Sequence, residues 1–164
     1  MKKIKGMSLI EILIVVAVFA ILGVIVTRSV LLSLRGSKKS ESTLKVRENI
    51  NYSLAVIERQ LRNADSVVPC PNGNTNRIDY IDEYGNITNF SCVTAGTDVY
   101  VASASARLTN DETVITSCSF ICAAPSGGNN TPSVTVSLSG RDKNTVGVEG
   151  SSVTATTKIF LRTY

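Results

Sequence analysis

GMSLIEILIVVAVFAILGVIV, residues 6–26, is the stretch from which everything else in this chain is best read. Lys2, Lys3 and Lys5 precede it. After the polar pair Ser8 and Glu11, fifteen apolar residues follow without interruption over 12–26. Counted from Met7, these are twenty residues holding one carboxylate. As a helix they extend about 30 Å at ~1.5 Å per residue, enough to cross a bilayer. Glu11 is the anomaly: a carboxylate at such a depth costs a few kcal/mol on insertion scales, so it needs a partner and a purpose.

Two ordinary explanations of an N-terminal apolar run fit poorly. A secretory signal peptide has its small-residue cut site after the apolar core, and the sequence from Arg28 onward, RSVLL, offers none. A plain signal anchor accounts for the span but has no use for Glu11. Charge flanks do not set the orientation, because Lys2, Lys3 and Lys5 face Arg28, Arg35, Lys38 and Lys39 across the span.

The stretch resembles the N-terminal cleavage and methylation motif of type IV prepilins and pseudopilins. The matching features are the basic leader (residues 1–5), Gly6 as last leader residue, Met7 as first mature residue, Glu11 four positions on, and the apolar run behind it. Met7 departs from the phenylalanine usual in that family. The resemblance implies cleavage between Gly6 and Met7 by a prepilin peptidase that also methylates the new amine of Met7. It further implies an assembly role for Glu11, pairing with the N-terminal amine of a neighbouring subunit.

The bulk composition narrows the functional classes. The 164 residues suffice for one domain plus a long helix. Lys and Arg number 17 against 13 Asp and Glu, but three of the lysines belong to the leader, leaving 14 against 13. A basic surface for nucleic acid therefore starts weak, as does a nucleic-acid partner. Histidine is absent, which removes the commonest general base and metal ligand. Four cysteines, all beyond residue 69, fit an oxidising compartment.

Beyond the span the helical pattern continues. Val46, Ile50, Leu54, Ile57, Leu61 and Ala64 fall on one helical face, with Glu48, Asn51, Glu58, Arg59 and Arg62 opposite. No proline occurs before Pro69, so a helix over 8–64, on the order of 85 Å, is unblocked. Its weak segment is GSKKSES at 36–42, where a bend, fraying or break is expected; Gly23 is the one soft point within the span. Residues 69–76 and 123–131 read as loops. Strands are expected at 77–81 and 87–93, joined as a hairpin by DEYGN, and at 98–102 and 113–121. The 113–121 strand is read with Val114, Cys118, Phe120 and Cys122 on one face. Residues 133–138 and 153–162 form a closing pair. The stretches LAVIERQLRNADSV and IFLRTY also look like the helix end and C-terminal strand of the minor-pilin and pseudopilin subgroup.

Chemistry in the head is sparse. Cys118-x3-Cys122 lacks a second pair at metal-ligand spacing, so no metal site is assigned. Disulfides are expected instead. Residues four apart on one strand lie roughly 13 Å apart, beyond bridging distance, and Cys70 and Cys92 are expected to take part in pairs with Cys118 and Cys122. Asp79, Asp82, Glu83, Asp111 and Glu112 read as solvated turn acids rather than calcium ligands. The tyrosines (Tyr52, Tyr80, Tyr84, Tyr100, Tyr164) read as core or sheet-face residues.

The expected fold is α+β and pilin-like: a long N-terminal helix, membrane span plus amphipathic half, packed on an antiparallel β-sheet head. Its parts are a leader (1–6), a span and filament-core segment (7–28), an amphipathic outer helix (29–65) and a β-rich head (66–164). By resemblance the chain is a structural subunit of a type IV pilus-like or type II secretion pseudopilus filament. It is not itself an enzyme and takes no cofactor. Its partners are the prepilin peptidase, other pilin-like subunits, an inner-membrane assembly platform and the membrane before assembly. It is held in the bacterial inner membrane with its N-terminus cytoplasmic, then in a periplasmic or surface filament. The rival readings are a filament-tip adhesin, a DNA-uptake minor pilin and a signal-anchored exported enzyme.

Overall fold

A computed structural model describes residues 8–67, 73–123, 132–145, 147 and 150–161. The chain divides into two units, Met1–Lys38 and Lys39–Tyr164. One helix, α1 (Leu9–Asn63), enters both and continues for 55 residues. Within the first unit its described apolar side chains are uncovered, Leu9 at 78% and Phe19 at 70% exposure. This segment is long and apolar enough to cross a membrane. The helix passes Gly23 without a break, and the Thr27 hydroxyl donates back to the Gly23 carbonyl at 2.8 Å.

Residues 36–42 are helical throughout, so the expected fraying or break is absent. One glycine and several serines cost at most about 1 kcal/mol each relative to alanine. Restarting a helix after a gap requires a second nucleus, about 4 kcal/mol at a nucleation constant near 10⁻³. The Thr43 hydroxyl donates to the Lys39 carbonyl at 2.8 Å. Ser42, moreover, belongs to the buried face: it is 3% exposed, with its hydroxyl 3.2 Å from that of Ser151.

In the second unit α1 buries Ser42, Val46, Ile50, Ser53, Leu54, Ile57 and Leu61. Ser53 satisfies its hydroxyl on the Asn49 carbonyl at 2.9 Å, which is how a polar residue keeps a place on that face. Nine strands follow among the described residues: β1 (Ser66–Val67), β2 (Gly73–Thr75), β3 (Arg77–Ile81), β4 (Ile87–Ala95), β5 (Asp98–Ser103), β6 (Ala106–Arg107), β7 (Thr113–Ala123), β8 (Ser133–Asp142) and β9 (Ser152–Phe160). They form two antiparallel sheets, β1-β3-β4-β5-β6 and β2-β7-β8-β9. The core joins the helix stripe to Ile78, Tyr80, Phe90 and Val101 of the first sheet and to Ile115, Phe120, Val134, Val136, Leu138 and Ile159 of the second. Each such aliphatic side chain contributes roughly 1.5–3 kcal/mol of burial, which stabilises helix and sheets only together.

The strand expectations at 77–81, 87–93, 98–102 and 113–121 correspond to β3, β4, β5 and β7, and the closing pair to β8 and β9. Three differences are informative. Part of the expected loop at 69–76 is β2, whose residues pair with β7 from Gly73↔Cys122 to Thr75↔Phe120. The inward face of β7 is not continuous: its register shifts between Ile115 and Ser117, leaving Thr116 as an extra residue. Ile115, opposite Gly140, therefore shares a face with Cys118, Phe120 and Cys122, while Val114 lies opposite exposed Arg141. Finally, Tyr52 and Tyr84 are 61% and 81% exposed, so only part of the tyrosine set is sheet face or core. The 123–131 loop lies outside the described residues beyond Ala123, as does Tyr164.

Candidate functional site

The start of α1 combines a helix entry, a carboxylate and an uncovered apolar surface. Ser8 precedes the first helical residue, and its carbonyl accepts the backbone N–H of Glu11 at 3.0 Å and of Ile12 at 3.3 Å. Ser8 thus occupies the N-cap position and Glu11 the third helical position, the S-x-x-E spacing of a capping box. Glu11 is the acid of the first turn, where the helix macrodipole favours negative charge by about 0.3–1 kcal/mol. That offsets part of the cost of placing a carboxylate at the head of an apolar helix. Gly6 and Met7, the expected cleavage pair, lie outside the described residues.

The other candidate residues are committed to the head. Cys92 on β4 and Cys118 on β7 form a disulfide with Cα atoms 6.5 Å apart, bridging the first sheet to the second. Cys122 is disulfide-bonded as well, and Cys70 lies outside the described residues. Three of the acids are occupied locally. Asp79 receives the Arg77 guanidinium (Nε to Oδ1, 3.0 Å), and Asp111 pairs with Arg107. Asp82 accepts the N–H of Asn86 at 2.8 Å and of Tyr84 at 2.9 Å, and these backbone donors, Asn86 above all, hold its carboxyl below the usual range. Among the described residues no group of three or more potential ligands converges as a metal site.

A polar cleft to which no sequence motif points lies between the end of α1 and the β3–β4 turn, lined in part by Arg59, Asn63, Asp82 and Tyr84. At its floor the Tyr80 hydroxyl donates to Gln60 Oε1 at 2.6 Å while its ring stacks on Phe90. Only the exposed aromatic in a turn otherwise made of DE and GN hinted at it.

Residues 1–27 match the prokaryotic N-terminal methylation motif, the type IV prepilin-type signature. No curated protein and no solved structure matches the chain. With one long apolar N-terminal helix packed on antiparallel sheets, the chain has an α+β, pilin-like architecture. The motif and the apolar helix together fit inner-membrane anchoring before assembly, processing by a prepilin peptidase and a pilin-like or pseudopilin role.

Proposed function

We propose that this chain is a structural subunit of a type IV pilus-like or type II secretion pseudopilus filament, not itself an enzyme. A prepilin peptidase cuts between Gly6 and Met7 and methylates the amine of Met7. The span of α1 then holds the subunit in the inner membrane, N-terminus cytoplasmic, until an assembly platform extracts it. In the filament, spans of successive subunits bury one another, and Glu11 meets the Met7 amine of a neighbour. At an effective dielectric near 20, two unit charges 4 Å apart attract by about 4 kcal/mol before desolvation, enough to select a register.

The observation supporting this reading is Glu11 itself: the one acid at the entry of an apolar helical surface that the described chain leaves uncovered. The β-rich head, with its Ser- and Thr-lined strands, favours a minor subunit. Mass analysis of the mature N-terminal peptide tests the scheme, with methylated Met7 as the expected first residue. Glu11→Val is expected to remain in the membrane fraction while filament incorporation falls at least tenfold. A mature chain retaining residues 1–6, or full incorporation of the variant, would overturn it.

A further inference from the structure

Among the described residues, four strands stand at the ends of the two sheets. Three are short: β1 and β6 have two residues each and β2 three, whereas β9 has nine. Edges are normally blunted by brevity, charged side chains (lysine above all), proline or bulges, because unpaired N–H and C=O groups template further strands. β9 (SVTATTKIF) has no proline and a single charge, Lys158, and its register with β8 is continuous from Ser133↔Phe160 to Arg141↔Ser152.

The outward groups can be identified residue by residue. Leu161 N–H donates to the carbonyl of Pro132 at 2.9 Å, and these residues continue the β8–β9 register. Pairs in an antiparallel ladder alternate between hydrogen-bonded and non-hydrogen-bonded. Residues 153, 155, 157 and 159 therefore bond to β8, and Ser152, Thr154, Thr156, Lys158 and Phe160 direct their N–H and C=O to the open edge. Among the described residues no hydrogen bond reaches those groups. The edge is also incompletely covered: Ala155 and Thr157 point to the core side yet remain half-buried.

We propose that β9 is an interaction edge whose occupant is β9 of a second copy, paired antiparallel about Thr156 to join two four-stranded sheets into one. The choice of occupant follows from length and charge. Among the described residues no other edge matches nine: the flank of β7 that β2 leaves unpaired, 113–119, is shorter and is interrupted at Thr116. The register centred on Thr156 pairs the whole strand, opposing Thr156 to Thr156, Lys158 to Thr154 and Phe160 to Ser152, with no like charges facing each other. Each of these outward positions exchanges two backbone hydrogen bonds with its counterpart. This inference stands on the head alone and does not depend on leader cleavage or on Glu11.

The test uses the full chain in detergent. An antiparallel hydrogen-bonded pair places opposed Cα atoms about 5.5 Å apart, within disulfide reach. Mild oxidation of Thr156→Cys is expected to give a dimer of twice the 17.5 kDa chain, at least fivefold above Ser117→Cys, a position on β7 that is also exposed. Adding Lys158→Pro, which removes one outward N–H but none facing β8, should return the yield to the control level. In the unmodified chain, the Thr154, Thr156 and Lys158 amides should exchange hydrogen more slowly as concentration rises. Equal cross-linking at both positions, concentration-independent exchange of those amides, or a cross-link to a different polypeptide would each overturn the second copy as occupant.

Discussion

Asp142, at the end of β8, is 8% exposed and organises the turn that follows it. Burial pushes its carboxyl up. The Asn144 N–H at 2.8 Å, the hydroxyls of Thr145 (2.8 Å) and Ser42, and the charge of Lys45 outweigh burial and hold it below the usual carboxylate value. A depressed folded pKa contributes stability that is complete above the unfolded value, about 3.9, and is lost as pH falls through the lower folded value. Asp142→Ala is expected to lower unfolding free energy by roughly 1–3 kcal/mol at pH 7. Denaturant titrations from pH 7 to pH 3 should show the native chain losing that advantage below about pH 4, and the variant changing less. Little of this was legible beforehand. Asp142 follows an ordinary strand, and Ser42, its partner from α1, looked like a helix weakener. Glu11, by contrast, stood out at once because a carboxylate in an apolar run has no routine explanation.

Where α1 crosses β8, the spacing is set by Gly140. A methyl group added there would meet Ile50 Cδ1 at 3.2 Å, the Val114 carbonyl oxygen at 3.3 Å and Thr113 Cγ2 at 3.4 Å. The isoleucine can shift, but the carbonyl is fixed in the β7–β8 ladder, so overpacking falls on the helix. Gly140→Ala is expected to destabilise by about 1–3 kcal/mol, read as a shifted denaturation midpoint. Ile57→Ala, fully buried on the same helix, should cost about 2–5 kcal/mol by leaving a cavity. The helix was largely readable from its apolar spacing, because a 3.6-residue period needs no knowledge of the partner. The two serines on its buried face were not, since their hydroxyls are satisfied by bonds that spacing does not reveal.

Taken as a whole, the head depends on connections between its two sheets. Cys92–Cys118 closes 26 residues of sequence. Lys143, just beyond β8, adds an ion pair with Asp98 at the start of β5. A loop of that length gives about 3–4 kcal/mol in the chain-entropy account of disulfides. Replacing both Cys92 and Cys118 by serine should lower unfolding stability by about that amount in urea titrations, whereas Lys143→Ala should cost less than about 1 kcal/mol, as exposed pairs do. The individual strands were visible as alternating or β-branched runs. Their division into two sheets was not, because alternation says which face is buried and nothing about which strand lies alongside. The short strands β1, β2 and β6 escaped for a simpler reason: two or three residues carry no period.

The extra residue at Thr116 makes β7 unequally tolerant of length change. Shortening the chain by that one threonine would leave Ile115, Cys118, Phe120 and Cys122 on their present side, since the irregularity simply disappears from the ladder. Losing Ser119 would instead turn one part of the strand over against the other, exposing either Cys118 or Phe120. Among related chains, single-residue deletions in this strand should therefore collect at one spot.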